Sequence, residues 1–159
     1  GSRNGHTTMQ AQTFYVTNQV PQIQNSFNSG IWSKLEGAVQ DVAKTKNEEI
    51  YVVTGVEEGE SRTISYTSPS NAPSQQVPIP NYFYKLVLRV KTSGATVTDA
   101  VCVAFWFEHK AYSDSYANYT VSVDEVEAWT GFDFFVNLPS DIETRVEAKN
   151  TSWSAFTSF

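Results

Sequence analysis

Hydrophobic and polar positions run along this chain in two rhythms, and the changes of rhythm mark its elements. Ile31, Leu35, Ala38, Val39 and Val42 recur at helical spacing, which predicts one long amphipathic helix after residue 28. Asn28 or Ser29 can cap its start, and Lys44 and Lys46 suit its negative C-terminal end. Upstream, Thr13-Phe14-Tyr15-Val16-Thr17 is dense in β-branched and aromatic residues and reads as a short strand. The amide-rich stretch 18–28 that joins the two contains Pro21, which argues against both helix and central strand there.

Beyond the helix the period shortens to that of strands. Residues 49–55 are expected to form a strand ending at Gly55. Residues 57–81 hold four of the six prolines and read as a long surface loop, with Glu57-Glu58-Gly59-Glu60 as a solvated run. Residues 82–91 and 100–109 are strong strands around Ser93-Gly94, and their spacing predicts an antiparallel hairpin. Ser122-Val123-Asp124-Glu125 matches a capping box that opens a helix through Trp129, closed by Gly131. Asp124, Glu125 and Glu127 read as favourable charges near that helix's N-terminus. A second box, Ser140-Asp141-Ile142-Glu143, begins the last helix, and residues 151–159 show no periodicity. This order predicts an α+β domain, its largely antiparallel central sheet flanked by helices.

Composition narrows the classes. With 159 residues the chain suits one domain, residues 3–159, with Gly1-Ser2 read as a scar of expression cloning. The formal charge of −6 argues against a simple basic nucleic-acid-binding module. That total hides a split: residues 1–47 carry four basic groups against two acidic ones, while residues 48–159 carry seven against 15. Charges beyond roughly 8–10 Å are screened at physiological salt, so the first third is free to meet a polyanion. A lone Cys102, inside Val101-Cys102-Val103-Ala104-Phe105-Trp106-Phe107, excludes an intrachain disulfide and reads as a buried thiol. No run approaches the roughly 18 apolar residues of a membrane-spanning helix, and the first twenty residues lack a basic-then-apolar leader.

The candidate chemistry sits at the helix entrance. Asn28, Trp32 and Glu36 are spaced i, i+4, i+8 and would share one helical stripe. Eight residues rise roughly 12 Å, yet helical side chains lean toward the N-terminus, so a glutamate two turns along can reach back to the waters of a metal. An asparagine carbonyl oxygen suits Mg²⁺, a hard ion that keeps several waters. On pattern alone the alternatives are a helix cap for Asn28, a solvated carboxylate for Glu36, a surface charge for Lys34 and a core side chain for Trp32.

The string Gln12-Thr13-Phe14-Tyr15-Val16-Thr17-Asn18-Gln19-Val20-Pro21-Gln22, followed by Phe27-Asn28-Ser29-Gly30-Ile31-Trp32-Ser33-Lys34-Leu35-Glu36, resembles the DNA/RNA non-specific endonuclease family of ββα-metal nucleases. Later landmarks occur in order: Val52-Val53-Thr54-Gly55, Ile79-Pro80-Asn81-Tyr82-Phe83-Tyr84-Lys85, Val121-Ser122-Val123-Asp124-Glu125-Val126-Glu127, Thr130-Gly131 and Leu138-Pro139. The resemblance implies Mg²⁺-dependent, or other divalent-cation-dependent, cleavage of DNA and RNA, bound through phosphates with little sequence preference. It implies Asn28 as the metal ligand, Glu36 as the catalytic carboxylate at the hydrated metal, and Asn18 and Gln22 as amides lining the site. It further implies a secreted or periplasmic protein, without a membrane anchor.

One departure matters. Family members carry an Asp-Arg-Gly-His motif upstream of the Thr-Phe-Tyr strand, whose histidine is the general base; only Arg3-Asn4-Gly5-His6 stands here. His6 lies too near Thr13 for the intervening family segment, so it is expected to be an ordinary exposed histidine. The chain is then expected to be the C-terminal portion of the nuclease domain, an incomplete or inactive fragment whose missing N-terminal segment holds the base. His109 is expected to be structural or solvent-facing, and Arg3, Arg62 and Arg89 to be poorly placed for phosphate. The alternative is a non-catalytic module on a nuclease scaffold that binds nucleic acid or protein.

Overall fold

A computed structural model of the chain describes residues 19–47, 49–59, 63–66 and 75–159. The expected strand at 13–17, Asn18, Arg3, His6 and Arg62 lie outside them. A wound segment, Gln24–Trp32, leads into helix α1, Ser33–Lys46. Then come β1 (Tyr51–Glu57), β2 (Thr63–Tyr66), β3 (Gln75–Pro78), β4 (Tyr82–Ser93), β5 (Thr96–Glu108) and β6 (Thr120–Val121). Helices α2 (Val123–Thr130), α3 (Ser140–Glu147) and α4 (Trp153–Ser158) close the chain.

The sheet has the order β1-β4-β5-β6 with every neighbour antiparallel, and β2 pairs with β3 apart from it. The chain is therefore α+β, as the mixed order of elements predicts. The β4–β5 hairpin turns between Ser93 and Thr96, where Gly94 takes φ +61°, a value that glycine adopts without steric penalty. Because side chains alternate along a strand, this one hairpin serves two cores. Phe83, Val87, Val103, Phe105 and Phe107 pack with Phe27, Trp32, Leu35 and Val39 of the wound segment and α1. The opposite face sets Leu86 against Ala104 and Leu88 against Cys102. Small β5 side chains there leave room for Val123 and Val126 of α2 and for Ile142 and Val146 of α3. Cys102 is 2% exposed, as expected, and burial raises its thiol pKa.

Several local expectations yield to tertiary structure. β1 continues through Gly55 to Glu57 by pairing with β4 down to Tyr82, and a Cβ at Gly55 would stand 2.2 Å from the Tyr84 ring. Glycine is thus a close-approach residue here rather than a strand end. The expected loop 57–81 contains the β2–β3 pair. The first capping box forms: Ser122 Oγ accepts from Glu125 N–H at 3.2 Å, and Glu125 Oε2 accepts from Ser122 N–H at 2.8 Å. The second does not, since α3 begins at Ser140 itself, with Pro139 in the cap position and no side-chain cap bond. Residues 151–159, without periodicity, include α4, capped by Ser152 Oγ accepting from Ala155 N–H.

Candidate active site

The site begins with an irregular backbone. Within Gln24–Trp32, Asn25 and Ser26 leave helical geometry, Ser26 at φ 66°, and Gly30 does so at φ −105°, ψ −111°. The regular stripe expected for Asn28, Trp32 and Glu36 is therefore broken between its first two members. Neither Asn28 nor Ser29 caps α1: the residue preceding it is Trp32, with no side-chain cap bond, and Ser29 Oγ donates to the Gln24 carbonyl at 2.8 Å. Trp32 is 4% exposed and lies within the aromatic core, which excludes it as a base-stacking platform.

What holds Asn28 in place is a chain of backbone bonds anchored on His109. The Asn28 N–H donates to the Ile23 carbonyl at 2.9 Å, and the Ile23 N–H donates to His109 Nε2 at 2.8 Å. Since Nε2 accepts, Nδ1 carries the proton and donates to the Pro80 carbonyl at 2.9 Å, so the imidazole is neutral. His109 is 3% exposed, with the rings of Phe27 and Phe83 set edgewise about 5 Å away. Of the two readings open for His109, the structural one holds.

The Asn28 side chain is oriented at its donor end. Nδ2 donates to Gln24 Oε1 at 3.3 Å, and no hydrogen bond among the described residues ends on Oδ1. The half-buried Gln22 immediately precedes the tethered Ile23. Lys34 is exposed on α1.

Glu36 lies in the first turn of α1, where the helix dipole favours an anion. Its Oε1 is 4.0 Å from Lys85 Nζ. Lys85 is 5% exposed and points from β4 into the α1 face, between Phe83 and Val87. Its ammonium donates to Thr54 Oγ1 at 2.8 Å, directly opposite on β1, and lies 4.5 Å from the Trp32 ring centroid. Burial pushes the Lys85 pKa below the ordinary lysine value, and Glu36 pulls it partly back. In the sequence Lys85 stands out only as part of a landmark string. A lysine at an inward strand position, flanked two residues away by apolar side chains, is the signal that marks it.

Arg89, the other inward cation of β4, is 1% exposed and donates from Nη1 to the Phe156 carbonyl at 2.7 Å. It is a structural guanidinium, turned away from solvent phosphate.

The profile of the family described as DNA/RNA non-specific endonuclease matches residues 1–141. A nuclease of Nostoc sp. is 26% identical over 92% of this chain and 52% of its own length. "Nuclease 1, mitochondrial" of Schizosaccharomyces pombe is 27% identical over 80% and 41%, and "Nuclease EXOG, mitochondrial" of Xenopus laevis is 28% identical over 89% and 40%. The chain thus spans about half the length of the curated relatives it matches. Among solved structures, the EndoG/EndoGI complex, described as the mechanism of EndoG inhibition, superposes with a TM-score of 0.61 at 21% identity, over 82% of this chain and 54% of that one. It supports a ββα-metal nuclease fold.

The mitochondrial relatives overturn the expectation of a secreted or periplasmic protein. That expectation came with the family resemblance, whereas destination is written in leader segments rather than in a catalytic fold. The family profile spans most of the chain: the chain belongs to the DNA/RNA non-specific endonuclease family.

Proposed function

We propose that this chain provides the metal-holding, charge-organising portion of a divalent-cation-dependent endonuclease acting on DNA and RNA. The observation that carries the reading is the pairing of a tethered Asn28, whose Oδ1 accepts no hydrogen bond among the described residues, with a Glu36 that Lys85 holds from below. A neutral amide oxygen together with the Glu36 carboxylate would form a hard-oxygen donor set, which fits Mg²⁺. When bound, the ion would supply a Lewis acid against charge on the phosphoryl and leaving oxygens.

Each residue then has a distinct task. Asn28 Oδ1 would be the protein ligand, its amide oriented by the bond from Nδ2 to Gln24. Glu36 orients water at the site. Lys85 fixes the Glu36 carboxylate, while its own burial keeps it from competing for phosphate. His109 holds the Asn28 turn through Ile23 and is unavailable as a base, because both ring nitrogens face backbone groups. Gln22 lines the approach, Asn18 is assigned to the site by the family resemblance alone, and Lys34 adds attraction for phosphate. The general base belongs to a segment upstream of the described residues, and nucleic acid is gripped through phosphates, without base readout.

Plasmid degradation with Mg²⁺ tests the reading, run on this chain and on a form extended upstream. The extended form is expected to nick DNA and RNA alike, and Asn28→Ala and Glu36→Gln are expected to suppress it. Absence of turnover in both forms would favour a non-catalytic binding module on the same scaffold.

A further inference from the structure

On the far side of the sheet from Glu36, five carboxylates converge from consecutive stretches of chain. Asp124 and Glu127 stand on α2, Asp133 in the link, and Glu143 and Glu147 on α3. Oxygens of Asp124, Glu127 and Glu147 lie within 4.8 Å of one another, and so do those of Asp133, Glu143 and Glu147. Helix dipoles account for Asp124 and Glu143, which sit in first turns. They do not account for Glu147, the last residue of α3, where the dipole disfavours an anion.

Glu147 is 8% exposed, and its Oε1 is buried without a hydrogen-bond partner. The charged groups acting on it are Glu127, Glu143, Asp124 and Asp133, all acidic. Arg145, two residues away, is turned to Asp99 at 2.6 Å. A buried carboxylate with an unused oxygen, at the meeting point of two acidic triads, lacks the counter-charge that burial of an anion requires.

We propose that Glu147 is the shared ligand of a Ca²⁺ site that braces α2, the link and α3 against the sheet. Asp124 and Glu127 complete it on one side, Asp133 and Glu143 on the other. Donor number selects the ion: Ca²⁺ takes about six to eight oxygens from many carboxylates, whereas Mg²⁺ keeps several waters and is usually held by one or two. Glu127 has already given Oε1 to the Phe134 N–H at 2.8 Å, which fixes its carboxylate and joins the link to α2. The site is independent of Asn28.

Metal-free protein titrated with Ca²⁺ alone, followed by calorimetry and thermal unfolding, tests the assignment. Wild type and Asn28→Ala should share a Ca²⁺-dependent, saturable rise in unfolding midpoint, with a smaller rise in Mg²⁺. Glu147→Gln should lose at least tenfold in Ca²⁺ affinity together with the rise. If that variant does not fold, the surface pair Asp133→Asn and Glu143→Gln must show the same loss. A wild-type midpoint indifferent to Ca²⁺, a rise that survives these substitutions, or one abolished by Asn28→Ala would each overturn the site.

Discussion

The two faces of the β4–β5 hairpin bury charge in opposite ways. Toward α1, Lys85 and Arg89 enter the core as cations, and each meets a partner: Thr54, Glu36 and the Trp32 ring for Lys85, the Phe156 carbonyl for Arg89. Toward α2 and α3 aliphatic side chains pack with Tyr84, and the buried carboxyl group there is Glu147, surrounded by further acids and left with an unused oxygen. An inward charge that is hydrogen-bonded holds a site in one geometry; one without a partner marks a place where something else must bind or the proton must stay. The difference separates a face organised by protein groups from one that depends on solution conditions.

The largest effects should come from the α1 face. In an active, upstream-extended form, Glu36→Gln should lower turnover by about 100-fold, the scale of removing one preorganised charge-stabilising group. Lys85→Met should also lower turnover, while a urea midpoint equal to or above wild type is expected, because it removes a desolvated cation. A large stability loss with unchanged turnover would make Lys85 merely structural and dissolve the contrast between the faces. His109→Ala strips the Ile23 N–H and Pro80 carbonyl of partners and opens a gap beside Phe27 and Phe83. A destabilisation of about 2–4 kcal/mol in denaturant unfolding is expected.

The opposite face should answer to pH. Burial, reinforced by the surrounding carboxylates, pushes the Glu147 pKa up to about 7 from 4.5. A folded pKa above the unfolded one means that the folded state holds the extra proton between those values. Calcium-free stability should therefore fall as pH climbs from about 4.5 to 7 and then level off. Comparing urea midpoints at pH 5 and pH 8 should show that fall in wild type and a smaller one in Glu147→Gln. An identical fall in both would assign it to other acids, Glu127 among them, whose pKa burial also raises.

The smallest effects distinguish two sequences with the same local signature. Ser122→Ala should cost about 1 kcal/mol, since its hydroxyl and Glu125 exchange both capping bonds. Ser140→Ala should change stability by under about 0.5 kcal/mol, because that hydroxyl caps nothing. Equal losses by thermal unfolding would mean that the second box forms in solution.

Features governed by neighbours along the chain are legible in the amino-acid sequence. The β4–β5 hairpin, the body of α1 and the Ser122 box with its Gly131 stop follow from strand alternation, helical periodicity and capping chemistry, all interactions within a few residues. Family landmarks direct attention to Asn28 and Glu36, but not to what supports them. Lys85 reaches Glu36 across 49 positions, and His109 holds Ile23 across 86. No local pattern encodes such pairings, because their energy exists only once the sheet has formed.

The same limit explains the misreadings. Gly55 reads as a strand end until the Tyr84 ring is seen to occupy the space of its missing side chain. The Ser140 box reads as a cap until Pro139 is found in the cap position. Asp124 and Glu127 read as helix-end charges and Glu143 as part of a capping box, and only the folded chain brings their carboxylates together at Glu147. By itself, the sequence determined the period of the long helix and the paired strands, the α+β class and the family to which the chain is similar, because these rest on local spacing. Tertiary structure decided which buried charges have partners, because desolvation and pairing depend on groups brought together from distant parts of the chain.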